Sequence, residues 1–233
     1  MRQGAVGHVR VIDHRGQAPV EKRMTDPARH DTEVAALTAL AGSGLPAPTL
    51  LEVAPGSIVM TRLPGDRLDA VGPDERLDGL RESMRVLRRL HALPVPDGLP
   101  PAADDRLIVE RYIEAGGPPL PLVVPGSEGR AFCHGDWTDG NLLAIDGEVT
   151  GVVDWEAAHA GDPIRELARA AWGASRKDAR SFDAMVEAYG ADRDAVAAWT
   201  AVHAAELWLW FAAEGPPEYL DQLTAELVRW PLG

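Results

Sequence analysis

Cysteine is nearly missing from this chain: Cys133 stands alone among 233 residues. A single thiol closes no intrachain disulfide, so the fold must rest on packing, and a reducing cytoplasm suits it. Excess positive charge is missing as well. Twenty-three Lys and Arg stand against 36 Asp and Glu, for a formal net charge of −13. A surface of that sign repels phosphate backbones and anionic headgroups, which argues against nucleic acid and membrane surfaces as partners. No apolar run reaches the roughly 20 residues that a bilayer-spanning helix needs. The opening MRQGAVGHVRVIDHRG lacks the apolar stretch of a secretion signal, so a cytoplasmic location is expected. What remains is an ordinary globular composition, 45% hydrophobic and 25% charged, on a chain long for one domain and short for two.

Periodicity divides the chain unevenly. Val9 to Ile12 and Pro19 to Met24 read as two strands around a turn at Asp13 to Gly16. Asp26-Pro27 then opens a helix, with Asp26 as cap and Pro27 in the first turn, and Val34, Leu37, Leu40 and Ala41 on one face. Thr49 to Val53 and Ser57 to Thr61 read as a hairpin. Leu63-Pro64-Gly65 breaks the pattern and predicts a boundary between a lobe of residues 1–63 and one of residues 64–233. Beyond it the chain reads as mainly helical: Leu77 to Leu93, Arg106 to Ala115, Pro163 to Trp172, Arg176 to Tyr189, Arg193 to Glu214 and Pro217 to Trp230. Short strands at Arg130 to Cys133, Asn141 to Ile145 and Val149 to Val153 interrupt the helices, with Asp146-Gly147 as a hairpin turn.

Those short strands enclose the most specific feature, HGDWTDGNLLAIDGEVTGVVDWE. His134-Gly135-Asp136 is followed by Asn141 five residues after Asp136 and by Asp154 thirteen residues after that. Phosphoryl transfer needs this set: one carboxylate facing an acceptor hydroxyl, and an amide oxygen and a second carboxylate for Mg²⁺, a hard ion that prefers oxygen. Chance alone would place His-Gly-Asp in roughly a few per cent of chains this long, and the two further offsets cut that roughly 400-fold. Upstream, Lys22 on a predicted strand and Glu33 on the following helix match the lysine and glutamate that hold the nucleotide phosphates in this chemistry. Gly135 where protein kinases have arginine, and Trp155-Glu156 after Asp154, speak against a protein kinase.

On these residues the chain resembles the aminoglycoside phosphotransferase and choline kinase superfamily. The resemblance lies in HGDWTDGNLL (134–143), GVVDWEAAHAGDP (151–163) and RELA (165–168), with weaker echoes around Lys22, Glu33, VMTRLPG (59–65) and RRLHAL (88–93). It implies an α+β, protein-kinase-like two-lobe fold, with a small antiparallel sheet and one helix in the first lobe and a larger, mainly helical second lobe. It implies ATP or GTP with Mg²⁺ as cofactors. Asp136 would be the catalytic base, and Asn141 and Asp154 the metal ligands. Lys22 would hold the α- and β-phosphates, clamped by Glu33. The backbone from Thr61 to Leu63 would bind adenine, with Leu143 and Val153 lining its pocket. His134 would brace the catalytic loop, and Asp162 and Glu166 the helix after the metal loop.

The expected acceptor is a small hydroxylated, amine-bearing molecule such as an amino sugar. Choline, homoserine, a fructosamine or another sugar stay open, as does a nucleotide-binding module without catalysis. Candidate acceptor contacts are Asp139, Glu156, Glu206 and Trp210, with Trp137 shaping the same side. Trp199, His203, Glu206 and Trp210 recur along one predicted helix, which fits either core packing or an acceptor pocket. A monomer or a homodimer is compatible with the sequence. Two departures from the family stand out: Glu166 occupies a position where Asp is usual, and the phosphate-covering turn would have to come from Gly4-Ala5-Val6-Gly7.

Overall fold

Asp26 decides where the first helix begins, and with it the layout of the small lobe. In the computed structural model, which describes residues 7–13, 18–127 and 129–229, the Asp26 carboxylate accepts a hydrogen bond from the N–H of Ala28, and Pro27 opens α1 (Pro27–Leu40). That side chain satisfies a helix N–H that has no partner in the helix itself. The strands β1 (Gly7–Val11), β2 (Val20–Met24), β3 (Leu50–Ala54) and β4 (Ser57–Met60) form an antiparallel sheet in the order β1-β2-β4-β3. Register sets which residues share a face. Lys22 lies opposite Val9 on β1 and Ile58 on β4, and Val20 lies opposite Val11 and Met60. Because strand side chains alternate with period two, Val11, Val20 and Met60 share the face that carries Lys22. Gly4 to Val6, the bulk of the expected phosphate-covering turn, lie outside the described residues, as does most of the turn expected at Asp13 to Gly16.

Just past the boundary expected from the sequence the chain passes Gly65, where φ is 106° and an added Cβ would stand 2.7 Å from the Ala144 carbonyl oxygen. A side chain cannot fit there, which places the connection tight against the sheet of β5 (Asp66–Arg67), β7 (Leu142–Ile145) and β8 (Glu148–Val152). Asp146 and Gly147 both take positive φ, 52° and 80°, the geometry of the tight hairpin read from the sequence. A second pair, β6 (Ala131–Cys133) and β9 (His159–Gly161), flanks the motif. Around these strands stand α2 (Pro73–His91), α3 (Asp105–Glu114), α4 (Pro163–Ser175), α5 (Arg180–Tyr189), α6 (Arg193–Ala213) and α7 (Pro217–Leu227).

One apolar core runs through both lobes, joining Leu37 and Ile58 to Leu80, Leu87, Phe132, Leu142, Trp155 and Leu167. A second cluster of Tyr112, Trp172, Trp208, Leu223 and Leu227 packs α6 and α7 together. Trp199 is buried too, so packing accounts for it and for Trp208, whereas Trp210 is 47% exposed. The helical elements differ from expectation at both ends: α4 runs on to Ser175 beyond the expected Trp172, and α5 starts at Arg180 where Arg176 was expected. Helix α2 begins four residues before Leu77, because its first turn, Pro-Asp-Glu-Arg, is polar and carries no apolar period. Strand β9 was not expected, since His-Ala-Gly has no strand pattern and exists through its pairing with β6. Among the described residues no helix is long and apolar enough to cross a membrane.

Candidate active site

Gly135 sets the conformation of the loop between β6 and β7. Its φ is 83°, and a Cβ there would stand 2.0 Å from the carbonyl oxygen of Ala157. The glycine of the His-Gly-Asp triplet is therefore required by sterics, since no other residue fits that approach. Glu166, on the first turns of α4, closes the loop from below. Its carboxylate accepts from the backbone N–H of His134 at 3.1 Å and of Gly135 at 2.5 Å, and meets His91 Nε2 at 2.8 Å. Burial alone would raise this carboxyl; the His91 hydrogen bond and the surrounding imidazoles outweigh it and hold the pKa at about 2. Asp162 caps α4 through the N–H groups of Ile164 and Arg165.

The His134 ring is fixed in one tautomer by its neighbours. Nε2 lies 3.0 Å from the Val153 carbonyl, which can only accept, and Nδ1 accepts the N–H of Asp136 at 3.2 Å. Nε2 must carry the proton and Nδ1 must not. Burial pushes this imidazole toward the neutral form that the pattern demands. The ring also packs edge-on against Trp137 and Trp155. Asp136 is left with its side chain 39% exposed, and Asn141 Nδ2 donates to both its main-chain oxygen, at 3.0 Å, and its Oδ2, at 2.9 Å. With the amide nitrogen so used, the amide oxygen of Asn141 is the atom left to ligate a metal. The N–H of Val153 donates to the Asn141 carbonyl, which ties the loop to the strand leading to Asp154.

Asp154 ends that strand in a left-handed conformation, φ 68° and ψ 64°. For a non-glycine residue this costs on the order of 1–3 kcal/mol, a strain that tends to mark functional positions. Lys22 reaches it from the other lobe. Its ammonium stands 2.6 Å from Glu33, 2.5 Å from Asp154 and 2.8 Å from Glu156. Burial disfavours the charged lysine, but Glu33 and Asp154 outweigh it and keep its pKa above the ordinary value. Glu33 is fully buried, and its second oxygen has no hydrogen-bond partner among the described residues. Burial pushes its carboxyl up, against the pull of Lys22. Oxygens of Glu33, Asp154 and Glu156 all lie within 4.8 Å of one another. The Asp154 side chain is 42% exposed, so its carboxylate and the Asn141 amide oxygen offer the hard oxygen ligands that a divalent cation takes.

The profile of the phosphotransferase enzyme family known as APH matches residues 21–117 and 104–199, a span that holds every group just described. The chain belongs to this family. No curated protein sequence matches it. Among solved structures, the GDP and kanamycin complex of APH(2″)-IIia superposes with a TM-score of 0.71 at 16% identity, covering 97% of this chain and 90% of that one. The macrolide 2′-phosphotransferase MphH from Brachybacterium faecium gives 0.70 at 20% identity, with 96% and 89% covered. A thermostable mutant of the aminoglycoside phosphotransferase APH(4)-Ia, in ternary complex with AMP-PNP and hygromycin B, gives 0.69 at 18%, with 98% and 92% covered. At these identities the likeness establishes the kinase-like two-lobe fold.

The remaining expected residues of this phosphotransferase separate into two groups. Leu63 and Leu143 meet above Gly151, where an added Cβ would lie 2.9 and 3.0 Å from their side chains; the Val153 carbonyl points to His134. The N–H of Thr61 is taken by the Thr49 carbonyl, so in the stretch from Thr61 to Leu63 that donor serves the sheet. The acceptor candidates are scattered. Glu156 pairs with Lys22 and with Arg29 of α1. Asp139 is 8% exposed and bonded to Arg76 at 2.7 Å and Lys177 at 2.8 Å, and Trp137 is buried on Ser83. Both are tied to α2, and Asp139 also to the α4–α5 turn. Glu206 pairs with Arg165 at 3.2 Å and with His203 at 3.4 Å. Burial would raise its carboxyl, but His203 and Arg165 prevail and hold it at about 2. Trp210 stacks edge-on with Phe211 at the surface. Arg169 was not read from the sequence at all. It donates to Asp136 Oδ1 at 3.2 Å, and its one signal was a position three residues beyond Glu166 on the same helix face.

Proposed function

We propose that this phosphotransferase moves the γ-phosphoryl group of ATP or GTP, with Mg²⁺, to the hydroxyl of a small molecule, an amino sugar being the first class to try. The observations that support this most are the pairing of Lys22 with Glu33 and Asp154, the contact of Asn141 with Asp136, and the Val153–Asn141 hydrogen bond that ties the two sets together. The aliphatic face of Val11, Val20 and Met60 would cover the base of the nucleotide, with Leu63 and Leu143 beneath it. Lys22 would hold the α- and β-phosphates, and Glu33 keeps Lys22 extended toward them. Asn141 and Asp154 would hold Mg²⁺, which supplies charge neutralisation on the transferring phosphoryl group.

Asp136 would orient the acceptor hydroxyl and take its proton as the new oxygen–phosphorus bond forms and the bond to the nucleoside diphosphate breaks. The transition state is loose, so the protein's share is positioning and electrostatics. The kanamycin, hygromycin B and macrolide named with the similar structures belong to those proteins; they make amino sugars the natural first acceptors to offer. Calorimetry tests the cofactor half: Mg²⁺ should tighten nucleotide binding in the native chain and not in Asp154→Ala. Nucleotide binding that ignores Mg²⁺ in both would count against the reading.

A further inference from the structure

Asp136 is held by a cation that the His-Gly-Asp motif does not contain. Arg169 Nη2 donates to Asp136 Oδ1 at 3.2 Å, and Asn141 Nδ2 donates to Oδ2 at 2.9 Å. Each carboxylate oxygen thus has its own donor, and the side chain is fixed from two sides. Arg169 follows Glu166 by three residues on α4, so both point from one helix face. One turn of α4 therefore grips the triplet twice, Glu166 through the backbone of His134 and Gly135 and Arg169 through the Asp136 side chain. The Arg169 side chain is 32% exposed, on the open side of the loop and not in the core. Its charge also acts on His203 and Glu206 of α6, a helix whose pattern fits either core packing or an acceptor pocket.

We infer that Arg169 is a positioning residue for the base, and that its guanidinium fills the place beside Asp136 that an acceptor ammonium would otherwise take. This rests on the reading of Asp136 as the base. A lone carboxylate at this position would turn toward an ammonium on the carbon next to the reactive hydroxyl. With Arg169 present the carboxylate is already paired, and such an ammonium meets a like charge. The enzyme then favours a hydroxyl flanked by neutral groups, with any amines of the acceptor further away.

The test follows Mg-ATP turnover with water, glycerol, 2-amino-1,3-propanediol and a matched pair of a neutral sugar and its 2-amino counterpart. Arg169→Ala should lower kcat roughly 10-fold while KM for Mg-ATP stays within about twofold, the pattern of a lost transition-state contact. Arg169→Lys should recover most of the rate, and guanidinium chloride should rescue Arg169→Ala but not Asp136→Asn. The ratio of amine-bearing to neutral acceptor should rise roughly 10-fold in Arg169→Ala, the scale of one screened like-charge contact. Thermal melts check each variant, and Arg169→Lys carries the comparison if the alanine variant does not fold. Unchanged kcat in Arg169→Ala, or a loss that neither lysine nor guanidinium restores, overturns this inference provided Asp136→Asn is inactive. Turnover in Asp136→Asn, or none in the native chain, overturns the base reading itself.

Discussion

Lys22 and Asp154 lie 132 positions apart in the chain and meet at 2.5 Å. The contact joins β2 of the small lobe to the strained turn after β8, so it holds the two lobes together at Lys22. Replacing Lys22 by Met would leave Glu33, Asp154 and Glu156 facing each other without their ammonium. Removing one partner of a buried pair costs about 3–5 kcal/mol, and the loss of a phosphate-binding cation should lower kcat/KM for Mg-ATP by roughly 100-fold. Chemical denaturation and steady-state kinetics would read the two effects separately. A variant with full stability and full activity would remove Lys22 from the site.

Glu166 makes the loop sensitive to acid. Its carboxyl has a pKa of about 2 against an ordinary 4.5. A depressed carboxyl contributes stability that is complete above the unfolded value and is lost as pH falls from 4.5 toward 2. The amount is about 3 kcal/mol at neutral pH. The melting temperature should therefore fall steeply over that window. Glu166→Gln, which presents an amide N–H₂ to groups that also donate, should melt lower at pH 7 and show a flatter acid limb. An identical acid limb in both proteins would contradict the role given to this side chain.

Gly135→Ala should damage both stability and activity. The added methyl would overlap the Ala157 carbonyl, and φ of 83° disfavours any side chain. A cost of at least ~2 kcal/mol is expected, together with loss of turnover as Asp136 shifts. A crystal structure of the variant with an unmoved loop would contradict it.

Asp139 separates a brace from an acceptor contact. Arg76 and Asp139 are both 8% exposed in their side chains, so Asp139→Ala should cost about 3–5 kcal/mol. An acceptor contact would instead raise KM for the acceptor at little cost in stability. Differential scanning calorimetry beside acceptor kinetics distinguishes the two.

These residues show where sequence was informative and where it was not. Asp26 and Pro27 announced α1 because a capping oxygen and a missing N–H act locally. The contact of Asp136 with Asn141 was legible because one short loop joins them. Lys22 and Glu33 were legible because strand and helix spacing carries the pair. Asp139 was read toward an acceptor from its place inside the motif; its partners Arg76 and Lys177, 63 and 38 residues away, carry no mark in the sequence. The pairing of Glu156 with Lys22 was not legible, because it depends on the short 3₁₀ turn at Trp155–Ala157. Arg169 was invisible because its only mark is one helical turn of separation from Glu166.

Asp136 is the centre of the account, and phosphoryl transfer through it can be measured directly. Phosphorus NMR of Mg-ATP with an amino-sugar and neutral-alcohol panel should show a new phosphate ester with the native chain. Asp136→Asn should form none while binding nucleotide as tightly as the native chain. Ester formation at a native rate by Asp136→Asn would contradict the account.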